Sequence, residues 1–321
     1  MIKKLHTEVG KLLSEKKVDL VIGWEKGSLP FTSSPLFITE KKDIEKLIFD
    51  ETCRSNLTTY FTKDKRKLGK DFKKIAVLAK GCDARSIVLY ATENQIKREN
   101  IVVIGAPCNG VIEKKKVAQL IDNKELLETK IEGDSVILKG RNFEIKTTLS
   151  KILCDPCLTC RFPDAPESDI FIGTPRKEVE INDEYKNVTD FEQKSADERW
   201  QIVTEEYSKC IRCYACRNVC PACYCNVCFV DQNDPQWIGK TPEVTDSIIF
   251  HLIRNLHVAG RCVDCGACVS ACPVDIDLRK MSKKVEKEIK DRFDFVCGLD
   301  SSEKPVMATF YEHEKQDFIM G

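Results

Sequence analysis

No charge of either sign dominates this chain of 321 residues: lysine plus arginine and aspartate plus glutamate number 51 each. That balance argues against a nucleic-acid surface or a polybasic membrane face as its main role. Nowhere do eighteen apolar residues follow one another, so no membrane span is expected. Met1-Ile2-Lys3-Lys4-Leu5-His6 begins as a signal peptide does, but Glu8, Lys11 and Glu15-Lys16-Lys17 interrupt the apolar stretch such a peptide needs. The expectation is a cytoplasmic chain. A G-x-G-x-x-G fingerprint is also missing, so a Rossmann-type NAD or FAD site has no support in the sequence. What remains is a foldable composition, 42% hydrophobic and 32% charged, with room for about two domains.

Cysteine is the residue in excess, with 18 against four histidines. In a reducing compartment, cysteines at short regular spacings are metal ligands more often than disulfides. Cys210, Cys213, Cys216 and Cys220 before Pro221 spell C-x2-C-x2-C-x3-C-P, and Cys262, Cys265, Cys268 and Cys272 before Pro273 repeat it. This is the bacterial ferredoxin signature, in which three cysteines of a run hold one cubane and the fourth ligates the other cluster. One [4Fe-4S] cluster is therefore expected on Cys210, Cys213, Cys216 and Cys272, and a second on Cys262, Cys265, Cys268 and Cys220. Zinc also accepts four thiolates, but its sites usually use separated C-x2-C pairs. The 41 residues between Cys220 and Cys262 interrupt the compact ferredoxin arrangement.

A third cluster is expected upstream. Cys154, Cys157 and Cys160 form C-x2-C-x2-C without a local fourth partner. Cys82 and Cys108 each follow a stretch that reads as a parallel strand, so both can open at the carboxyl edge of one sheet, where open α/β sheets bind cofactors. Together with two of the three cysteines of the 154–160 run they would make four thiolates. The alternative is that Cys82 and Cys108 are small buried apolar residues. Cys223, Cys225 and Cys228 are left as ligands of another cluster or buried thiols, and Cys53 and Cys297 as packed thiols. His251 and His257, on or beside an apolar helical face, need no metal.

The fold class expected is an α/β domain with parallel strands followed by an α-rich dicluster ferredoxin-like domain. Leu5, Val9, Leu12 and Leu13 share a helical face, Val18–Ile22 reads as a strand ending at Gly23, and a second helical stretch runs from Asp43 to Phe49. Ile75–Ala79, a helix from about Ala84 to Lys97, and Ile101–Gly105 make a βαβ unit. Thr174–Trp200 carries eight acids and five bases with few large apolar residues. The division is therefore 1–173 for the α/β domain, 174–194 for a linker, 195–300 for the cluster domain and 301–321 for a tail. Ser195 and Glu198 form a capping box opening a helix towards Lys209. Thr245 as N-cap, Ile248, Ile249, Leu252, Ile253 and Leu256 at helical spacing, and Gly260 as a stop mark another, and a charged helix spans about Leu278–Phe293.

Lys80-Gly81-Cys82-Asp83, Gly105-Ala106-Pro107-Cys108-Asn109-Gly110, and Cys157-x-x-Cys160 followed by Ser168-Asp169-Ile170-Phe171-Ile172-Gly173 resemble the flavin and iron-sulfur domain of the beta subunits of deazaflavin-reducing hydrogenases and formate dehydrogenases. The resemblance covers roughly residues 1–173, and the dicluster segment after it is similar to the formate dehydrogenase arrangement. It implies an FAD beside a [4Fe-4S] cluster, coupling electron pairs to single-electron hops through the clusters. Candidate flavin contacts are Ser55, Asn56, Thr58, Lys80 and Asp83, with Asn109 and Arg85 further candidates; ordinary loop polarity and a helix cap are the alternative for each.

The function expected is an electron-transfer subunit of an anaerobic oxidoreductase complex, with no catalytic residue assigned. It would link a catalytic dehydrogenase or hydrogenase subunit to a heterodisulfide reductase type or other acceptor. Two alternatives stand beside it: a flavoenzyme that itself oxidises or reduces the deazaflavin coenzyme or a nicotinamide, and a flavin-free iron-sulfur wire.

Overall fold

A computed structural model describes residues 1–62, 68, 71–176, 178–179, 181 and 184–306. The chain opens with the helix Ile2–Ser14, whose Leu5, Val9 and Leu12 are buried. β1 (Leu20–Lys26), β2 (Ser33–Ile38), β3 (Leu47–Ile48), β4 (Ile75–Ala79) and β5 (Ile101–Gly105) follow. β6 (Glu128–Glu132), β7 (Ser135–Lys139) and β8 (Glu144–Thr148) form a separate antiparallel sheet, and β9 (Ile170–Phe171) returns to the first. That first sheet has the order β2-β1-β4-β5-β9, with β3 also paired to β1. β1, β4, β5 and β9 run parallel, whereas β2 and β3 are antiparallel to β1.

The βαβ unit read from the sequence is present. All five residues of β4 are buried, as a strand covered on both faces requires. β4 and β5 pair in register from Ile75↔Ile101 to Ala79↔Gly105, so the residues that follow them leave the sheet at the same edge. The intervening helix starts earlier than expected and is shorter, Gly81–Thr92. Asp83 explains its start, because its carboxylate accepts from the Lys80 backbone N–H at 3.0 Å.

Three local expectations are corrected. The helical stretch expected over Asp43–Phe49 is a short 3-10 turn, Lys41–Lys46, followed by β3. Leu47 and Ile48 pair with Glu25 and Trp24 of β1, so tertiary strand pairing overrides the local pattern. The first strand does not stop at Gly23 but continues to Lys26, because β2 extends its ladder. The β6–β8 meander was not read at all: its first strand is mostly charged, and only Val136 and Leu138 of β7 are fully buried. The stretch read as a linker carries a helix, Lys186–Glu192.

In the carboxy-terminal half, the helix Ala196–Ser208 begins at Ser195 with both hydrogen bonds of the capping box formed. The helices Val244–His257 and Arg279–Phe293 follow, the former with Glu243 rather than Thr245 at its N-cap position and no side-chain capping bond. One continuous core joins Leu20, Val77, Ile104 and Tyr90 to Ala222, Val258, Val263 and Cys297. Across it, Tyr90 Oη donates to Pro221 O at 2.7 Å, and Arg85 donates to Cys297 O at 2.9 Å and Val263 O at 3.2 Å. Arg261 and Glu93 form a second tie, at 2.7 Å. Of the expected tail, residues 307–321 lie outside the described residues.

Candidate metal centres

The doubled sequence motif is doubled in three dimensions. Each run turns through left-handed residues at matching places, Arg212 and Tyr214 in one, Asp264 and Gly266 in the other. Each then forms one helical turn, Ala215–Asn218 and Ala267–Ser270. The same backbone bond reaches the leading sulfur of each run: Arg212 N–H donates to Cys210 Sγ and Asp264 N–H to Cys262 Sγ, both at 3.4 Å. Ile276 N–H donates to Cys272 Sγ at the same distance. Backbone N–H groups aimed at sulfur suit a thiolate that must stay negative beside a cluster.

The two runs also interleave. Cys210 lies within electrostatic reach of Cys272, and Cys265 and Cys268 within reach of Cys220. Burial raises the thiol pKa values of Cys262, Cys265 and Cys268, and pushes that of Cys216 up to about 12. Such sulfurs ionise when a metal takes the proton's place. Among the described residues no three His, Cys, Asp or Glu side chains converge as a single chelated ion would require. A cubane asks for less convergence, because each thiolate binds a different iron corner.

Upstream, the sheet edge and the cysteine loop meet. Cys82, Cys108, Cys154, Cys157 and Cys160 line one cavity of about 270 Å3, and Cys265 of the second ferredoxin run lines it too. Cys82, Cys108 and Cys160 are mutually within electrostatic reach, and Cys157 is within reach of Cys108. Burial pushes the Cys108 pKa up to about 11 and raises that of Cys82 as well. Gly110 N–H donates to Cys108 Sγ at 3.4 Å, and Val111 N–H to Cys157 Sγ at 3.3 Å. Cys154 is engaged elsewhere: its sulfur accepts from Arg54 at 3.7 Å and lies 3.5 Å from Glu113 Oε2 and 3.9 Å from Ser270 Oγ. A hydrogen bond from Cys157 and the charge of Arg54 hold the Cys154 pKa below the usual thiol value despite burial. Gly81 makes the meeting possible, since a Cβ there would collide with the Phe162 carbonyl.

Residues 202–273 match the model of the 4Fe-4S dicluster domain family. Over 92% of its length the chain is 26% identical to the F420-dependent formate dehydrogenase subunit beta of Methanocaldococcus jannaschii, covering 91% of that protein. It is 23% identical, over 92% of its length and 90% of the relative's, to the F420-dependent formate dehydrogenase 1 subunit beta of Methanococcus maripaludis. The chain is thus similar to these beta subunits over nearly the whole length of each. A further likeness, with 16% identity and a TM-score of 0.40 over 64% of this chain and 86% of the other, is to a chain of the F420-reducing [NiFe] hydrogenase complex from Methanosarcina barkeri.

With its dicluster segment and these relatives, this chain is an iron-sulfur electron-transfer protein. No helix among its described residues is long and apolar enough to cross a membrane. Its remaining candidates fall into two groups. Lys80 and Asn109 line the cysteine cavity. Lys80 is buried, with its ammonium 2.8 Å from Asp83, 3.3 Å from the Ser55 carbonyl and 3.9 Å from the Trp24 ring centroid. Asn109 donates to Glu51 at 3.0 Å and accepts from Arg176 at 3.1 Å. Asn56 and Thr58 instead satisfy one another: Thr58 N–H donates to Asn56 Oδ1 at 3.1 Å, and Asn56 Nδ2 donates to Ser86 Oγ at 3.2 Å.

Several residues around the sulfurs went unread in the sequence. His251, read there as a satisfied surface or core histidine that needs no metal, is 1% exposed and has its Nε2 3.4 Å from Cys210 Sγ. Burial, with Arg254 and Arg212 beside it, pushes its pKa down to about 3, so the ring is neutral. A buried network ties the cysteine loop to the carboxy-terminal helix: Arg279 reaches Asp264 at 2.7 Å and Thr159 Oγ1 at 2.8 Å, and Lys283 reaches Asp264 at 3.3 Å and Glu286 at 2.7 Å. The signal available for Asp264 was its place inside the C-x2-C of the second run. His251 lies 41 residues from Cys210, and Arg279 lies 120 from Thr159, so no local spacing announces either pairing. Among the unassigned cysteines, Cys53 and Cys297 are buried and Cys225 is exposed, while Cys228 sits beside Arg217.

Proposed function

We propose that this chain is the electron-transfer subunit of a cytoplasmic, anaerobic oxidoreductase complex of formate dehydrogenase or hydrogenase type, carrying three [4Fe-4S] clusters and one FAD. Cys210, Cys213, Cys216 and Cys272 hold one cluster, and Cys262, Cys265, Cys268 and Cys220 the second. Cys82, Cys108, Cys157 and Cys160 hold the third. Cys154 is the spare thiol of its run, because it faces Arg54, Glu113 and Ser270 whereas Cys157 and Cys160 face Cys108. The observation that carries this reading is the shared cavity, which Cys265 lines together with Cys82 and the cysteine loop. It leaves the upstream group adjacent to the dicluster region, as a chain of one-electron carriers requires.

The residues at hand suit a flavin. A second cavity of about 450 Å3 adjoins the first and shares Cys154, Pro156, Thr159, Glu184, Ser270 and Lys283 with it. Together they fall in the range of roughly 300–1,000 Å3 typical of cofactor pockets. Arg54, Lys80, Arg176 and Lys283 supply positive charge around the space, which suits a pyrophosphate. When bound, FAD supplies the exchange between electron pairs and single electrons. Lys80 is positioned by Asp83, and Asn109 by Glu51 and Arg176, so both are held in place in the cavity wall.

The names of the relatives support a catalytic dehydrogenase subunit as one partner and the deazaflavin coenzyme F420 as a soluble reactant of the complex. A heterodisulfide reductase type module is the acceptor we assign on the other side. Air-free reconstitution of the full chain, followed by acid extraction, tests the cofactor content. The reading predicts about twelve irons, with about one fluorescent flavin released per chain. About eight irons and no flavin would refute the upstream half and leave a flavin-free wire.

A further inference from the structure

The helix Val244–His257 lies within the 41 residues that separate the two ferredoxin runs, and it is packed the wrong way round for an ordinary amphipathic helix. Ile249, Leu252 and Leu256 are exposed, while Ser247, His251, Arg254 and Asn255 are buried with Phe250. Turning polar groups inward and leucines outward costs free energy unless the buried groups find partners. For His251 and Arg254 those partners lie among the cluster cysteines. His251 Nε2 sits 3.4 Å from Cys210 Sγ, with its ring stacked on Tyr207 at 4.4 Å. A thiolate can only accept, so Nε2 carries the proton and donates.

Arg254 is the stronger case. It is 5% exposed, and among the described residues no carboxylate pairs with it. Its Nη2 donates to Cys216 O at 3.4 Å, its guanidinium also interacts with the Cys268 sulfur, and Nε has no acceptor. The sulfurs within its electrostatic reach include Cys216 and Cys220 of the first run and Cys268 of the second, together with Cys223. A buried guanidinium without a counter-charge is strongly destabilising, whereas one between two anionic cubanes is compensated.

We propose that this inserted helix is a redox-tuning element: Arg254 offsets negative charge on both ferredoxin-type clusters, and His251 donates a hydrogen bond to a sulfur of one, so that each cluster accepts its electron more readily. Reduction adds one negative charge to a cluster, and a fixed cation or N–H donor stabilises the reduced form more than the oxidised one. Because Arg254 faces cysteines of both runs, its removal moves two potentials. His251 touches one sulfur of one run, so its removal moves one.

The inference rests on the ligand assignment proposed above, and one experiment separates the two. The full chain and its variants are reconstituted without air, iron is counted, and the clusters are titrated potentiometrically by EPR. Arg254→Gln is expected to keep its iron and shift both dicluster potentials downward by at least a tenfold change in the reduced-to-oxidised ratio, about 59 mV for one electron. Arg254→Lys restores part of the shift, and His251→Phe lowers one potential only. Leu252→Ala, on the exposed face of the same helix, leaves both unchanged. If Arg254→Gln fails to load iron while Arg254→Lys loads fully, the charge requirement stands. Failure of both to load, or full iron with unmoved potentials in Arg254→Gln and His251→Phe, overturns the proposal. Fewer than about eight irons in the unsubstituted chain refutes the ligand assignment instead.

Discussion

At Gly81 the start of a helix and the loop that follows Cys160 occupy adjoining space, and a side chain there would run into the Phe162 carbonyl. Gly81→Ala is therefore predicted to push the loop off the sheet edge and lower the iron content from about twelve to about eight, with the dicluster EPR signals retained. Retention of all twelve would show that the loop adjusts. The three sulfurs of that loop are predicted to differ: Cys157→Ser loses about four irons, whereas Cys154→Ser keeps them, since Cys154 is held by Arg54, Glu113 and Ser270. Iron analysis of the two variants side by side decides the assignment. At this scale the cysteines were legible because ligand spacing is a local property of the chain. His251 was not, because its sulfur partner lies 41 residues away and nothing in helical periodicity names it.

Among the elements, the βαβ unit was readable from two apolar runs and the turn between them, and parallel pairing followed from the length of the crossover. The helix Val244–His257 was readable in extent but not in orientation. Its apolar residues marked a helix, yet the cluster side demanded the polar face, so the usual rule about which face is buried reversed. β6–β8 escaped notice because a charged edge strand carries little alternation to detect. The helix Gly81–Thr92 and the second cysteine run are held together by Glu93 and Arg261, whose side chains are both largely shielded from water. Glu93→Gln is expected to lower the unfolding free energy by about 1.5–3 kcal/mol, the value of a charge-assisted hydrogen bond, while iron content stays constant. Air-free denaturant unfolding of the holoprotein measures it, and a change below the experimental scatter would mean that the apolar core alone fixes the docking.

On the scale of the whole molecule, one core runs from β4 and Tyr90 to Ala222, Val263 and Cys297, on either side of the stretch read as a linker. The sequence concealed this, since shared packing between distant segments leaves no compositional mark. Such a core has a consequence for metal removal. The segments around residues 210–230 and 262–276 are organised about sulfur and a buried guanidinium, whereas the sheet is held by aliphatic packing. Chelation of iron is predicted to raise hydrogen exchange in those two segments first and to leave β4 and β5 protected. Uniform loss of protection would indicate a single cooperative unit. The claim on which the rest depends is that the cysteines grip cubanes of iron and sulfide. Iron, acid-labile sulfide and zinc, quantified together in chain purified without air, test it most directly: the account predicts about twelve irons, as many sulfides and no stoichiometric zinc, and zinc without sulfide would contradict it.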